Sequence, residues 1–138
     1  MKILVVEPLK HPYVEDIDGS LKSMQEIIGG GVHATHPFDD SVNVITTDMG
    51  QLIEQPMNRV LRDEDGRVDD VLCGTFLICG TSDENMISLT DEQIKRYTQL
   101  FYVPEVFLHI GDRIMVLQVP DSEDKEVQYE QQHQPVYG

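Results

Sequence analysis

The sequence predicts an α+β fold: a mostly antiparallel sheet with two main helices packed on it, one short helix and a flexible acidic C-terminal tail. Three observations lead there. Two stretches, residues 20–29 and 90–102, repeat apolar side chains at helical spacing behind a capping residue. Between and after them lie short apolar runs separated by Gly, Pro and Asp, the punctuation of strands joined by tight turns. From residue 121 the composition turns to Asp, Glu and Gln with few apolar side chains. Such a segment buries too little surface to offset its ordering entropy. The division is therefore one domain over residues 1–120 and a tail over 121–138.

Ile3 to Val6 form an unbroken apolar run, which suits a strand covered on both faces. Residues 9–19 read as a loop or a weak second strand around Tyr13, Val14 and Ile17. Ser20 caps a helix whose inward stripe is Leu21, Met24, Ile27 and Ile28, and Gly29 supplies the left-handed residue that stops it. Gly30 and Gly31 let the chain turn back into a strand over 32–38, which Pro37 confines to an edge or ends. Residues 42–47 alternate and are expected to pair with 51–54 as a hairpin.

Pro56 fits the first position of a short helix with Met57, Val60 and Leu61 inward. A strand is expected over 71–79, with Gly74 inside it marking a bulge or a close approach. Thr90 and Gln93 form a capping box, with Ile94, Tyr97, Leu100 and Phe101 as the inward face of the helix they open. Gly111 and Asp112 then join two apolar runs, 106–110 and 113–119, into a hairpin.

The charge excludes some functions. Twenty-five carboxylates against ten Lys and Arg give a formal net charge of −15, and such a surface repels nucleic acid and anionic membrane alike. It suits solubility or docking on a basic protein. The cysteines, Cys73 and Cys79, would lie roughly 20 Å apart along one extended strand, too far to pair. They read as buried, reduced thiols of a cytoplasmic protein.

For chemistry, the strongest candidate is Asn58 with Arg59. A guanidinium fork matches phosphate or carboxylate, and a side-chain amide can both donate to and accept from a base or sugar edge. Arg62 lies close by in sequence, and with Gly74 and Thr75 on the glycine-bearing strand the five define a candidate site for a small anionic or nucleotide-like ligand. The competing reading pairs these arginines with Asp63, Glu64, Asp65, Asp69 and Asp70 at the surface. His33 and His36, at odd spacing on a strand, would face opposite ways, so no metal site is expected. No catalytic motif is present, no cofactor is implied, and the expectation is a non-enzymatic binding protein.

Residues 2–8 (KILVVEP), 21–30 (LKSMQEIIGG) leading to Pro37 and Phe38, 56–59 (PMNR) and 74–80 (GTFLICG) together resemble the uncharacterised domain family numbered 3846. The resemblance implies a small cytoplasmic accessory protein of bacterial, plasmid or phage origin. In that setting the expected function is sequestration of a host nucleotide-like signal to counter defence. The alternative is an acidic inhibitor that imitates nucleic acid and docks on a basic host protein, of anti-restriction type. A twofold homodimer is compatible with either.

Overall fold

The computed structural model describes residues 1–47 and 55–119. Its elements in chain order are β1 (Lys2–Val6), β2 (Tyr13–Asp16), α1 (Leu21–Ile28), β3 (Val32–Thr35), β4 (Val42–Thr47), β5 (Met57–Arg62), β6 (Val68–Cys73), β7 (Phe76–Ser82), β8 (Asn85–Ile87), α2 (Asp91–Leu100), β9 (Glu105–Ile110) and β10 (Arg113–Gln118). Among the described residues, ten strands against two short helices correct the expected class. This is a mostly antiparallel β fold, and the helices are covers for a sheet, one on each face, with no third helix among the described residues.

The main sheet runs β2-β1-β7-β4-β3, with β8 also pairing β7, and every pairing is antiparallel. Its central strands are buried on both faces, as the unbroken apolar run of β1 requires. Ile3, Val5, Ile45, Leu77 and Cys79 point to one side, where Met24 of α1 packs with Ile27, Ile28 and Val32 around it. Leu4, Val6, Val42, Val44, Phe76 and Ile78 point to the other, where Tyr97 and Phe101 of the α2 region close over them with Leu61 and Leu72 from the β5–β6 hairpin. Burial pushes the Cys79 thiol up to about 11, so it stays protonated within this layer.

The helix ends are formed by the residues that the sequence nominates. Ser20 accepts from the Ser23 N–H, Gly29 adopts φ +91°, and Thr90 and Gln93 complete the reciprocal box. Two inward assignments are corrected: Leu21 and Leu100 are exposed, because each helix lies across the sheet on a stripe narrower than its apolar face. β3 does lie at the sheet edge. The return strand expected over 51–54 lies outside the described residues, and both edges of β4 are taken by β3 and β7. The tail over 121–138 likewise lies outside them.

The strand expected over 71–79 is two strands. Gly74, at φ +73°, turns the chain out of the β5–β6 hairpin and into the main sheet. A side chain there would meet a left-handed backbone and the Gln55 Oε1 at 2.6 Å. Gly80 serves close approach instead, since a Cβ would stand 2.7 Å from the Ser88 carbonyl oxygen.

α2 is tied to the β3–β4 loop by one carboxylate. Asp40 accepts from Tyr97 Oη at 2.8 Å, from Arg96 Nη1 at 2.7 Å and from Gln93 Nε2 at 3.2 Å. The Tyr97 hydroxyl above all holds Asp40 below the ordinary aspartate value of 3.8. Burial, and then the bond to Asp40, push Tyr97 up to about 12. A depressed carboxylate stabilises the fold above its unfolded pKa, and a raised phenol does so below its own. We therefore expect stability to fall as pH drops below about 4 and again as it rises from about 10 towards 12. Asp40→Asn should flatten the acid limb in urea titrations across pH; an unchanged limb would remove Asp40 from this role.

Candidate functional site

In a regular strand consecutive side chains point to opposite faces. β5 departs from this. Its register against β6 slips between Met57 and Arg59, so Asn58 is the additional residue of a bulge. The bulge turns Asn58 and Arg59 inward together, and both are almost wholly buried, at 0% and 1% exposure.

The two side chains form one polar cluster inside an apolar region. Asn58 Nδ2 donates to the carbonyls of Val6 at 3.0 Å and Gly74 at 2.8 Å, while its Oδ1 accepts from Arg59 Nη1 at 2.7 Å. Arg59 Nε and Nη2 both donate to the Phe101 carbonyl, at 3.1 and 3.0 Å, and Nη2 also reaches the Lys10 carbonyl at 2.6 Å. A longer bond of 3.3 Å joins Nη1 to the Asn58 carbonyl. A guanidinium has five N–H donors, and five bonds to internal oxygens match them. Burial pulls the Arg59 pKa below its ordinary value, and the negative charge of Glu105 opposes that pull.

The candidate residues thus separate. The short helix expected at Pro56 is the bulged strand β5, and Asn58 and Arg59 bind the protein's own backbone. Gly74 shares this cluster through its carbonyl, and its N–H donates to Pro56 O at 2.7 Å. Thr75 is half-buried at the turn between β6 and β7. Arg62 lies on the surface, where Nη1 donates to the Gly66 carbonyl at 3.0 Å. The surface ion pairing weighed for Arg59 is replaced by carbonyl contacts deep in the fold.

Sequence reasoning missed Glu105. It is buried at the start of β9, and its Oε1 accepts from the Val60 N–H at 2.9 Å, which caps the edge of β5 that β6 leaves unpaired. The one signal was a carboxylate at the mouth of an apolar run after Pro104. Glu105 also lines a cleft of about 490 Å³ with Leu9, Pro56, Met57, Phe107 and His109. Among its lining residues no Lys or Arg occurs, so an anion would find only histidine there. His36 bonds the Val42 carbonyl at 2.8 Å, and no group of metal-binding side chains occurs among the described residues.

The acidic residues gather elsewhere. Asp63, Glu64, Asp65, Asp69 and Asp70 are all exposed at the far end of the β5–β6 hairpin. Asp63 Oδ1 accepts from the backbone N–H groups of Asp65 and Arg67, both at 2.9 Å, which fixes the shape of that turn.

A buried guanidinium with this role has a clear signature on removal. Arg59→Ala should cost about 3 kcal/mol or more in urea unfolding, from the cavity and the carbonyls left without donors. Arg59→Lys should recover little, because an ammonium cannot reproduce the fork. A loss below about 1 kcal/mol, the range of ordinary surface substitutions, would show that the cluster does not hold the fold. Gly74→Ala should cost about 1–2 kcal/mol from backbone strain alone.

No curated protein and no solved structure is significantly similar to this chain. Among the described residues no helix is long and apolar enough to cross a membrane. The model of the domain of unknown function DUF3846 matches residues 1–102, a span that runs from β1 through α2 and contains both Arg59 and the Phe101 carbonyl it holds. The chain belongs to the DUF3846 family.

Proposed function

We propose that this protein acts by binding and that the acidic end of its β5–β6 hairpin docks on a basic protein surface. The observation that carries this reading is the division of charge along one hairpin. Five carboxylates, Asp63, Glu64, Asp65, Asp69 and Asp70, face water, while Arg59 is turned inward and cannot neutralise them. Arg62 and Arg67 remain outside, so the tip keeps a net negative charge. A cluster of exposed carboxylates on a chain of net charge −15 offers a basic protein the charge sign of a phosphate backbone. In the cytoplasm of a bacterial host, a DNA-binding enzyme such as a restriction nuclease has the matching surface. A phage or mobile element would gain from blocking it.

A second reading rests on a different place. The cleft beside Met57 has apolar walls, with Phe107 and His109 available to stack on a planar ring and Glu105 within the lining. It suits a nucleobase-like moiety better than a phosphate, which shifts the small-ligand alternative from the arginine to this cleft.

Competition experiments separate the two. Purified restriction nuclease, duplex DNA and the full chain should show displacement of DNA that weakens with salt. The joint substitution Asp63→Lys, Glu64→Lys and Asp65→Lys should reduce that competition by about tenfold or more. Competition indifferent to both salt and charge reversal, or none with any basic DNA-binding enzyme tried, would overturn the docking reading. Saturable binding of nucleosides, lost in Phe107→Ala, would instead favour the cleft.

A further inference from the structure

The β9–β10 hairpin lies beyond the family match and differs in character from the rest of the surface. Its ladder pairs Val106 with Leu117, Leu108 with Met115 and Ile110 with Arg113 on one face. Four of those apolar residues are exposed, Met115 at 48%, and the face carries Arg113 but no carboxylate. The hairpin is anchored at its base by Glu105 and by the Val119 N–H bonding Pro104 O at 2.8 Å.

That last bond fixes which backbone groups are free. Val119 donates to Pro104, the residue before β9, and antiparallel pairing alternates, so Arg113, Met115 and Leu117 also bond inward, towards β9. Ile114, Val116 and Gln118 must therefore aim their N–H and C=O groups away from β9. Among the described residues no strand pairs with that edge. Nor does β10 carry the usual protection of an edge: it has no proline, no lysine and no bulge over its six paired residues.

We propose that β10 is a pairing edge for a second copy of this chain. The outward residues are spaced evenly about Val116, so a twofold axis there sets all of them in register. Val116 meets its own equivalent, and Ile114 bonds the second copy's Gln118. Met115 then stands opposite the second copy's Leu117 on the same apolar face. The two hairpins become a four-stranded antiparallel sheet, which is stable where an isolated pair of strands is marginal. Charge tolerates the same partner only where carboxylates are absent. Two molecules of net charge −15 repel over most of their surfaces, whereas among the described residues this face of β9 and β10 carries Arg113 and no carboxylate. A basic protein would seek the β5–β6 tip, on another hairpin. The contact is smaller than the standard interface of roughly 800 Å² per partner, so the dimer dissociates on dilution.

Sedimentation of the full chain over a concentration series, with amide hydrogen exchange, tests this. The expected mass rises with concentration to twice 15.7 kDa, and the Ile114, Val116 and Gln118 amides are protected at high concentration and lose protection by about tenfold or more on dilution. Ile114→Pro removes one outward N–H and leaves the β9 ladder intact, so it should give a folded monomer at every concentration, with the Val116 and Gln118 amides exchanging fast. Met115→Ala, which keeps the edge, should still dimerise. A wild-type monomer throughout the series overturns the proposal. So does protection of those amides in a monomer, which would mean that the chain's own later residues cover the edge, and so does a dimer indifferent to Ile114→Pro.

Discussion

The fold depends on a fork of donors held within reach of scattered carbonyl groups. Through Arg59 and Asn58, β5 is joined to the end of β1, to the loop at Lys10, to Phe101 at the C-cap of α2 and to the turn at Gly74. No apolar side chain at that position could satisfy those oxygens, and a buried carbonyl without a donor costs more than a typical bond contributes. The positive charge is tolerated because every N–H is matched and because Glu105 lies close enough to oppose desolvation. Packing and polar pairing therefore coincide at one place. Phe101, whose carbonyl Arg59 holds, meets Phe76 and Phe38 edge to face.

Much of the secondary structure was legible because its signals are local. A serine or threonine cap, a glycine stop and an unbroken apolar run each act within a few residues, and α1, α2, β1 and β3 follow them. β5 was not legible, and the reason is physical. A bulge adds one residue to an alternating strand, so Met57, Val60 and Leu61 fall at spacings that also fit a helix. The run from Val71 to Cys79 failed for a related reason: two buried strands joined by a single left-handed glycine look continuous in composition. Helices are conspicuous in sequence, whereas long-range strand pairing is not, and the α+β expectation overweighted them.

The candidate site illustrates the same limit. Asn58, Arg59 and Gly74, three of the five residues expected to form a ligand site with Arg62 and Thr75, share hydrogen bonds inside the fold. What they hold depends on partners at Lys10 and Phe101, which no pattern of residue types announces. By contrast, the acidic character of residues 63–70 survives unchanged from sequence to surface, because a charge run with Val68 as its one apolar side chain has little to bury. The functional reading has accordingly moved from the arginine to the carboxylates beyond it.

Arg59 reaches acceptors separated from it by 49 and 42 positions along the chain, one on each side. A ribosome releases the N-terminal acceptor first, the guanidinium next and the Phe101 carbonyl last. Until that last oxygen is in place the cation must stay hydrated and the bulged strand cannot sink into its final seat. Closing loops of this length carries an entropic cost, which these bonds must offset before the interior closes around Arg59. The Arg59 cluster closes only once Phe101 has been made.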